Sequence, residues 1–562
     1  MTTPTWWQNA ICYQIYPRSF ADSNGDGIGD LPGITAKLDY LQGLGATAVW
    51  ISPFFPSPNF DWGYDVAGYT AVAPEYGTLA DFDTLLQQAH QRGIRILLDL
   101  VLNHTSDQHD WFQQSKSSRD NPYRDWYIWR DGGPNGEPPN DWEAIFGGSA
   151  WQYDETTGQF YYHYFFPEQP DLNWRNTAVK QAMFDAVRFW LDRGVDGFRL
   201  DAIGSVYEDP ALPNTDVEAS LAELFMDART GLFEEGGWDA YRAKMRYQQN
   251  LPEVYDLMAD LRALIDEYDE RLLLGETAEV EYYGRGDNGL HSVFNFDVLN
   301  VQPPLNTAEI RRVLTERLPQ IPAGAWESNT VGNHDRSRSY SFFADGTADR
   351  QRAQLALAMT LFLRGTPVIY YGEEIGMRDG TLPDNPDDFQ DGLGTWFYHA
   401  VRRQRGLNHE EAWRLASYFC RDRCRNPMQW ADAPNAGFAP ASVSPWIPAN
   451  ADYAEGINVA AQENDPTSML AFFKSLTAVR QQNEALRLGN FDLIPDTGEA
   501  LVFWRTTAEQ RCLVALNFGT EPVHLALGET VTAIYPTPAS APATDKLTLP
   551  PHAIAIFRSD SF

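Results

Sequence analysis

The feature that most constrains the fold is a repeated alternation of short apolar runs with amphipathic stretches. Helical periods are predicted at 31–45, 79–93, 179–194 and 352–365. In the third of these, apolar residues recur at spacings of three and four, and Gly194 ends the pattern. Between the helices, buried strands are predicted at 10–17, 46–53, 94–104, 195–203, 271–276, 329–335 and 366–374. Such alternation is typical of an α/β fold, and about eight repeats predict a closed (β/α)8 TIM barrel.

The alternation is interrupted twice and is then replaced by another pattern. Residues 105–175 are rich in Trp, Tyr, Pro, Gly and Asp, which predicts an irregular insertion after the third strand. Residues 205–260 form a long excursion after the fourth strand. From about residue 487, short alternating runs predict an antiparallel β-sandwich. We therefore predict a barrel over 1–104 and 176–486, an inserted loop-rich domain over 105–175, and a C-terminal all-β domain over 487–562.

The charge balance excludes two classes of partner. Lys and Arg number 43 against 77 Asp and Glu, which gives a net charge of −34. A surface this acidic repels phosphate backbones and anionic lipids, so we expect neither nucleic-acid nor membrane partners. The N-terminus lacks a basic segment, no apolar run approaches the ~20 residues that span a bilayer, and the four cysteines show no zinc spacing. A cytoplasmic protein with reduced thiols is expected.

Polar groups concentrate where the predicted barrel strands end. Side chains at the carboxyl ends of barrel strands face the usual position of an active site. Grouping several like charges there costs stability, which indicates catalytic use. A nucleophilic carboxylate, a second carboxyl group and an arginine beside the nucleophile suit glycoside hydrolysis. The residues concerned are His104, Arg199, Asp201, Glu276, His334 and Asp335.

Several segments in order resemble a known family. DLVLNH (99–104), GFRLDA (197–202), GE (275–276) and NHD (333–335) resemble the four signature regions of glycoside hydrolase family 13, the α-amylase superfamily. Three further segments resemble the oligo-1,6-glucosidase and α-glucosidase subgroup of that family: YQIYPRSF near the N-terminus, QPDLNW at 169–174 and RNPMQW at 425–430. The resemblance covers essentially the whole chain.

The resemblance implies roles for the central groups. Asp201 is similar to the nucleophile that forms a glycosyl ester, and Glu276 to the general acid that later acts as base. Asp335 resembles the third carboxylate, which binds sugar hydroxyls and stabilises the oxocarbenium-like state. Arg199 matches the arginine beside the nucleophile.

The resemblance also implies sugar-binding residues. His104 and His334 match histidines that hydrogen-bond the sugar in the catalytic subsite. DWGYD at 61–65 resembles a substrate-contact motif, with Asp61 and Tyr64 at its sugar-binding positions. Arg425 matches an arginine that is expected to grip the non-reducing end together with Asp61 and so close the pocket. An ordinary surface ion pair is the alternative.

The segment DSNGDGIGD at 22–30 predicts a metal loop. Oxygen donors recur at alternate positions, as in calcium loops. Position twelve is Gly33 instead of the glutamate of an EF-hand, so a lone loop is expected, as related α-glucosidases carry. Structural Ca²⁺ is the predicted ion, Mg²⁺ is the alternative, and a metal-free turn remains open. The expected ligands are Asp22, Asn24, Asp26, the carbonyl of Ile28, and Asp30.

The resemblance predicts a retaining, exo-acting α-glucosidase that acts on maltose and maltooligosaccharides, with isomaltose and sucrose as further candidate substrates. Ala202 directly follows the residue that resembles the nucleophile. Related enzymes that prefer α-1,6 bonds carry Val at this position, so the resemblance implies that the smaller Ala202 favours α-1,4 bonds. An oligo-1,6-glucosidase or a transglycosylating enzyme on the same fold is the alternative. Sucrose isomerisation is disfavoured because no RLDRD-type motif is present, and a non-catalytic binding role is disfavoured because all three acids are present.

Overall fold

Eight parallel strands form the centre of the molecule. A computed structural model describes residues 4–230, 237–301, 305–536 and 544–560. Neighbouring strands pair in the order β1-β2-β3-β7-β8-β9-β10-β11, and β11 pairs with β1 to close the barrel. The strands are β1 (Cys12–Ile15), β2 (Ala48–Ile51), β3 (Arg95–Val101), β7 (Gly197–Asp201), β8 (Leu272–Gly275), β9 (Ser292–Phe294), β10 (Trp326–Asn329) and β11 (Thr366–Tyr370). The predicted TIM barrel is confirmed.

Two details of the strand prediction need correction. The sixth barrel strand, β9, was not predicted, because three residues are too few to show a strand period. The seventh strand, β10, shares only Asn329 with the segment 329–335 that was predicted to form it. It ends at Asn329, so His334 and Asp335 lie in the following loop. The NHD motif at 333–335 therefore lies beyond the strand.

The helices cover the barrel and extend beyond it. The predicted helices at 79–93, 179–194 and 352–365 are present, whereas 31–45 is divided into two short helices at Lys37. No helix in the described ranges is long and apolar enough to cross a membrane. The described helices are α1 (Trp6–Asn9), α2 (Leu31–Ala36), α3 (Leu38–Gly43), α4 (Leu79–Gln91), α5 (Asp110–Ser117), α6 (Thr177–Asp192), α7 (Leu221–Thr230), α8 (Gly237–Met245), α9 (Glu253–Ile265), α10 (Phe296–Leu299), α11 (Thr307–Arg317), α12 (Ser339–Phe342), α13 (Asp349–Phe362), α14 (Gly392–Arg405), α15 (His409–Phe419), α16 (Val459–Gln462), α17 (Met469–Gln482) and α18 (Glu484–Leu488).

The segment after β3 contains more regular structure than its composition predicts. It holds α5 and a three-stranded sheet of β4 (Trp129–Arg130), β5 (Trp151–Asp154) and β6 (Gln159–Tyr162), in the order β4-β6-β5. A bridge between His104 and Asp171 returns the segment to the end of β3. The segment 105–175 therefore contacts the mouth of the barrel.

The C-terminal strands form one six-stranded sheet in the order β12-β13-β14-β17-β15-β16. The strand β15 spans 13 residues and is longer than the short runs that were predicted for this domain. All paired neighbours are antiparallel, as expected. The strands are β12 (Asn490–Leu493), β13 (Ala500–Thr506), β14 (Arg511–Asn517), β15 (Val523–Tyr535), β16 (Thr544–Leu549) and β17 (Ile554–Ser559).

A buried arginine joins this sheet to the barrel. Arg505 in β13 is fully buried, and its Nη1 donates to the carbonyls of Phe362 and Leu363 at the end of α13, at 2.7 and 3.0 Å. The last carbonyls of a helix lack partners within that helix, so the guanidinium satisfies them. Burial lowers the pKa of Arg505 well below its ordinary value. The contact fixes the sheet against the barrel helix that precedes β11.

Candidate active site

The carboxyl ends of the barrel strands bring the predicted polar residues to one rim. Asp201 is the last residue of β7, and Glu276 directly follows β8. His104 lies three residues after β3, and Asp335 six residues after β10. In parallel strands these ends lie at the same edge, so the barrel converts distant sequence positions into one cluster.

Arg199 lies at the centre of three carboxyl groups. Its Nη1 is 2.7 Å from Asp99 and 2.6 Å from Asp201, and its Nη2 is 2.7 Å from Glu276. The guanidinium is buried, with 1% of its side chain exposed, whereas the side chains of Asp201 and Glu276 are 10% and 23% exposed. The arginine is therefore withdrawn into the barrel, and two of its carboxylate partners remain accessible.

Burial and the arginine act on these carboxyl groups in opposite directions. Burial raises the pKa of Asp201 well above its ordinary value, while the Arg199 charge works to lower it. Burial likewise raises the pKa of Asp99 to about 6. Positive charge that develops on a bound sugar would favour the ionised form of the same groups. The site is therefore suited to stabilising an oxocarbenium-like state.

A second group of contacts surrounds Asp335. Its carboxylate lies 2.8 Å from Arg425 and 3.2 Å from Nε2 of His334. Burial alone would raise the pKa of Asp335, but the charges of Arg425 and Arg421 lower it well below its usual range. Tyr64 connects the two groups, because its hydroxyl lies 2.5 Å from His334 Nε2 and donates to Asp99 at 3.1 Å.

The two predicted histidines are buried and uncharged. Burial lowers the pKa of His104 to about 3 and that of His334 well below its ordinary value. The side-chain amide of Gln14 lies 2.7 Å from Nδ1 of His334 and holds the orientation of the ring. A neutral ring can hydrogen-bond sugar hydroxyls without adding a positive charge to the site.

The ion pair that was expected between Asp61 and Arg425 is not formed. Asp61 instead pairs with Arg421 at 2.8 Å, and Arg421 also contacts Asp391 at 2.7 Å. Arg425 pairs with Asp335. Sequence spacing could not separate these arginines, because they lie only four residues apart in one irregular segment. Asp61 and Arg421 are both buried, so this is not a surface ion pair.

Three contributors were not assigned to the site from the sequence. Asp99 stood in a quoted motif without a role, and it binds Arg199. Gln169 of the QPDLNW segment lies 3.2 Å from Asp61 and 3.0 Å from Nε2 of His104. Arg421 carries no signal of its own in the sequence. Only the folded chain shows that the segment at 169–174 reaches the same pocket as the barrel loops.

Ala202 adopts a strained conformation at the point where β7 ends. Its φ is 45° and its ψ is 37°, in the left-handed region that residues other than glycine seldom occupy. Its backbone N–H donates to Glu276 Oε2 at 3.0 Å. The strand therefore turns directly after Asp201, and Ala202 is coupled to the proposed acid.

The predicted metal loop is held by its own hydrogen bonds. Asp22 accepts from the backbone of Gly25 at 2.6 Å and of Gly27 at 2.9 Å. The side-chain oxygens of Asn24 and Asp26 each accept from the backbone N–H two residues later. A metal-free turn shows the same bonds, so they do not distinguish the alternatives.

The donor set of the loop is chemically suited to a hard cation. A carboxylate or amide oxygen that accepts one hydrogen bond retains a second lone pair, and Asn24 and Asp26 are exposed. Asp30 differs, because it is buried and caps α2 by accepting from Gly33 at 2.6 Å. Within the described ranges, no three His, Cys, Asp or Glu side chains form a compact metal-binding group. Asn24 and the Ile28 carbonyl would therefore have to complete the site.

Comparison with known proteins identifies the family. The profile described as alpha amylase, catalytic domain, matches residues 14–489, and a domain of unknown function matches residues 486–556. The chain belongs to the α-amylase family of glycoside hydrolases. This match confirms the family that the four signature segments predicted, and the match covers the barrel that contains them.

The chain is similar to enzymes named for their action on α-glucosides, over nearly its full length. It is 40% identical to the oligo-1,6-glucosidase of Parageobacillus thermoglucosidasius, covering 91% of this chain and 90% of that protein. It is 40% identical to a probable alpha-glucosidase of Rhizobium meliloti, covering 92% and 90%. The crystal structure of the alpha-glucosyl transfer enzyme XgtA matches with a TM-score of 0.87 at 37% identity, covering 99% of this chain and 100% of that one.

Asp201→Ala and Glu276→Gln should each reduce turnover by several orders of magnitude, because Asp201 is the expected nucleophile and Glu276 the expected proton donor. Circular dichroism and the melting temperature should show that both variants remain folded. Steady-state kinetics on an aryl α-glucoside measure the loss. Activity within tenfold of the wild type for either variant would end the assignment.

Proposed function

We propose that the protein is a retaining, exo-acting α-glucosidase that releases terminal glucose from short α-linked oligosaccharides. The observation that carries the proposal is the contact of one buried guanidinium, that of Arg199, with both Asp201 and Glu276. A shared arginine keeps the two carboxyl groups close, as the nucleophile and acid of a retaining enzyme must be. Inverting enzymes need room for a water molecule between substrate and base.

The proposed reaction has two steps. Asp201 attacks the anomeric carbon while Glu276 protonates the leaving oxygen, which gives a covalent glucosyl ester. Water then attacks the ester, and Glu276 takes the proton from that water. Asp335 hydrogen-bonds the sugar and stabilises the positive charge of both transition states.

The exo-acting mode is supported by the contacts of Arg421. Its guanidinium lies 2.8 Å from Asp61 and 2.7 Å from Asp391, and all three side chains are buried. Gln169 adds a hydrogen bond from the inserted segment to Asp61. A wall of this kind leaves room for one terminal sugar and blocks a chain that continues past it.

The proposed linkage preference is α-1,4, and the alternative is α-1,6. Ala202 supports the former, because a small side chain after the nucleophile leaves space for an α-1,4-linked sugar. The relative from Parageobacillus, named as an oligo-1,6-glucosidase, favours the latter. Glucosyl transfer to a sugar acceptor is a second candidate activity, favoured by the likeness to an alpha-glucosyl transfer enzyme.

Nuclear magnetic resonance of the products tests the proposal. Incubation with maltose, isomaltose, sucrose and trehalose should release glucose, first as the α-anomer and fastest from maltose. The spectra report linkage preference, retention and transfer products together. Initial release of the β-anomer, or release of disaccharides from the ends of longer chains, would contradict the retaining exo mechanism.

We also propose a structural Ca²⁺ in the loop 22–30, with Mg²⁺ as the alternative ion, and a cytoplasmic location. The oxygen-rich donor set supports the first. For the second, all four cysteines are buried and free, which suits a reducing compartment. The loop lies against the segment that follows RNPMQW: Gly27 has φ 91°, and a Cβ there would meet the Ser444 carbonyl oxygen at 2.4 Å.

Chelation should lower the melting temperature more than it lowers intrinsic activity, because a metal that binds only the folded state adds stability by mass action. Differential scanning fluorimetry with and without EDTA measures the shift. Asp26→Asn, which keeps the hydrogen-bonding shape, should lower the melting temperature and make it insensitive to EDTA. An unchanged melting temperature together with no metal in elemental analysis of the wild type would exclude the ion.

Ala202→Val should shift the preference from maltose towards isomaltose by roughly ten- to two-hundred-fold in relative kcat/KM. The two added methyl groups crowd an α-1,4-linked sugar, whereas an α-1,6 linkage has an extra rotatable bond that moves its second sugar away. Competition kinetics measure the ratio.

A stability control is needed because a β-branched residue is unfavourable at the φ of 45° found for Ala202. Ala202→Gly relieves that strain and should leave the linkage ratio close to that of the wild type. If the wild type favours isomaltose, or if Ala202→Val does not change the ratio, linkage choice resides in the 205–260 excursion or the rim loops.

A further inference from the structure

A cavity of about 170 Å³ has Asp335 in its wall. Five of its lining side chains are apolar: Leu299, Val331, Phe342, Leu393 and Phe419. An engineered apolar cavity of about 150 Å³ in another protein binds benzene. The cavity is therefore large enough for one six-membered ring and offers apolar walls for its faces.

Arg336 is the unmatched charge in this wall. Within the described ranges its guanidinium neither pairs with a carboxylate nor donates a hydrogen bond. Arg423 in the same wall is satisfied, because it donates to the Tyr418 carbonyl at 2.5 Å and lies 3.7 Å from Asp379. Arg336 is half-buried, so its guanidinium can be reached from the cavity and can pair with an anionic group that a ligand supplies.

The position of Arg336 places the cavity on the leaving-group side of the site. Arg336 directly follows Asp335 in the chain, and both side chains line the cavity. Desolvation lowers the pKa of Arg336, while the nearby negative groups Asp335 and Glu276 act to raise it. Glu276 is the group proposed to protonate the leaving oxygen. A ligand that touches both Asp335 and Arg336 therefore extends from the bond that is broken.

We propose that this cavity binds the leaving group of the substrate, and that it selects a ring bearing a carboxylate whose oxygens accept hydrogen bonds from Arg336. The proposal rests on the α-glucosidase function proposed above. The planar guanidinium matches a carboxylate in a two-pronged contact, which a sugar hydroxyl cannot form. Because the chain carries a net charge of −34, an anionic leaving group needs such a local cation to bind.

The test compares two substrates that differ chiefly in charge, and the change in their ratio between variants cancels the difference in leaving-group acidity. These are 4-carboxyphenyl α-glucoside and 4-carbamoylphenyl α-glucoside, whose rings have nearly the same shape. α-Glucosyl fluoride is the reference, because its leaving atom is too small to enter the cavity. The wild type should prefer the carboxylate by about tenfold or more in kcat/KM, as expected for a charge-assisted hydrogen bond. Arg336→Met should bring this ratio close to one.

Two further variants separate a direct contact from a general effect. Arg336→Lys keeps the positive charge but loses the planar guanidinium that can donate two parallel hydrogen bonds. Its carboxylate preference should therefore lie between those of the wild type and Arg336→Met. Arg423→Met removes a charge from the same wall that is already paired, and it should retain the preference. Loss of the preference in Arg423→Met to the same degree as in Arg336→Met would overturn the assignment to Arg336.

The outcomes distinguish this inference from the proposed function. A wild type that hydrolyses α-glucosyl fluoride and both aryl glucosides, without preferring the carboxylate, overturns the inference and leaves the α-glucosidase proposal intact. A wild type that hydrolyses none of the three substrates contradicts the proposed function itself. A carboxylate preference that persists in Arg336→Met would show that another group recognises the anion.

Discussion

The buried guanidinium of Arg199 is the interaction on which the mouth of the barrel depends. It binds Asp99 on β3, Asp201 on its own strand β7, and Glu276 after β8. One buried charge therefore connects three neighbouring strands. Asp99 and Arg199 are direct partners in the register of β3 and β7. A buried charge without partners costs several kcal/mol, and so do carboxylates without a cation. Strand register and catalytic geometry are therefore stabilised by the same contacts.

The rest of the pocket comes from segments outside the barrel strands. Arg421 and Arg425, close together in the chain, bind Asp61 and Asp335 respectively. Gln169 approaches Asp61 from the insertion after β3. The barrel thus supplies the proposed reacting groups, and the insertion and the downstream segment supply the contacts proposed to close the pocket behind a terminal sugar. This division explains how related folds can share one chemistry and differ in substrate.

Much of this could be predicted from the sequence because the relevant signals are local. Strand and helix periods determine the barrel, and the two-residue period places Arg199 and Asp201 on one face. The seventh strand shows the limit: NHD was assigned to it, whereas β10 ends at Asn329 and the motif lies in the next loop. A short apolar run predicts the existence of a strand more reliably than it predicts the residue at which the strand ends.

By itself, the sequence determined the fold class, the family and the candidate catalytic residues, because periodicity and ordered motifs are properties of the chain. Only the tertiary structure decided that Arg421 rather than Arg425 pairs with Asp61. It also decided that Ala202 turns into the left-handed region beside Glu276, and that Arg336 lines the same cavity as Asp335. Each depends on the approach of segments far apart in sequence, and the spacing of residues along a chain carries no record of such distances.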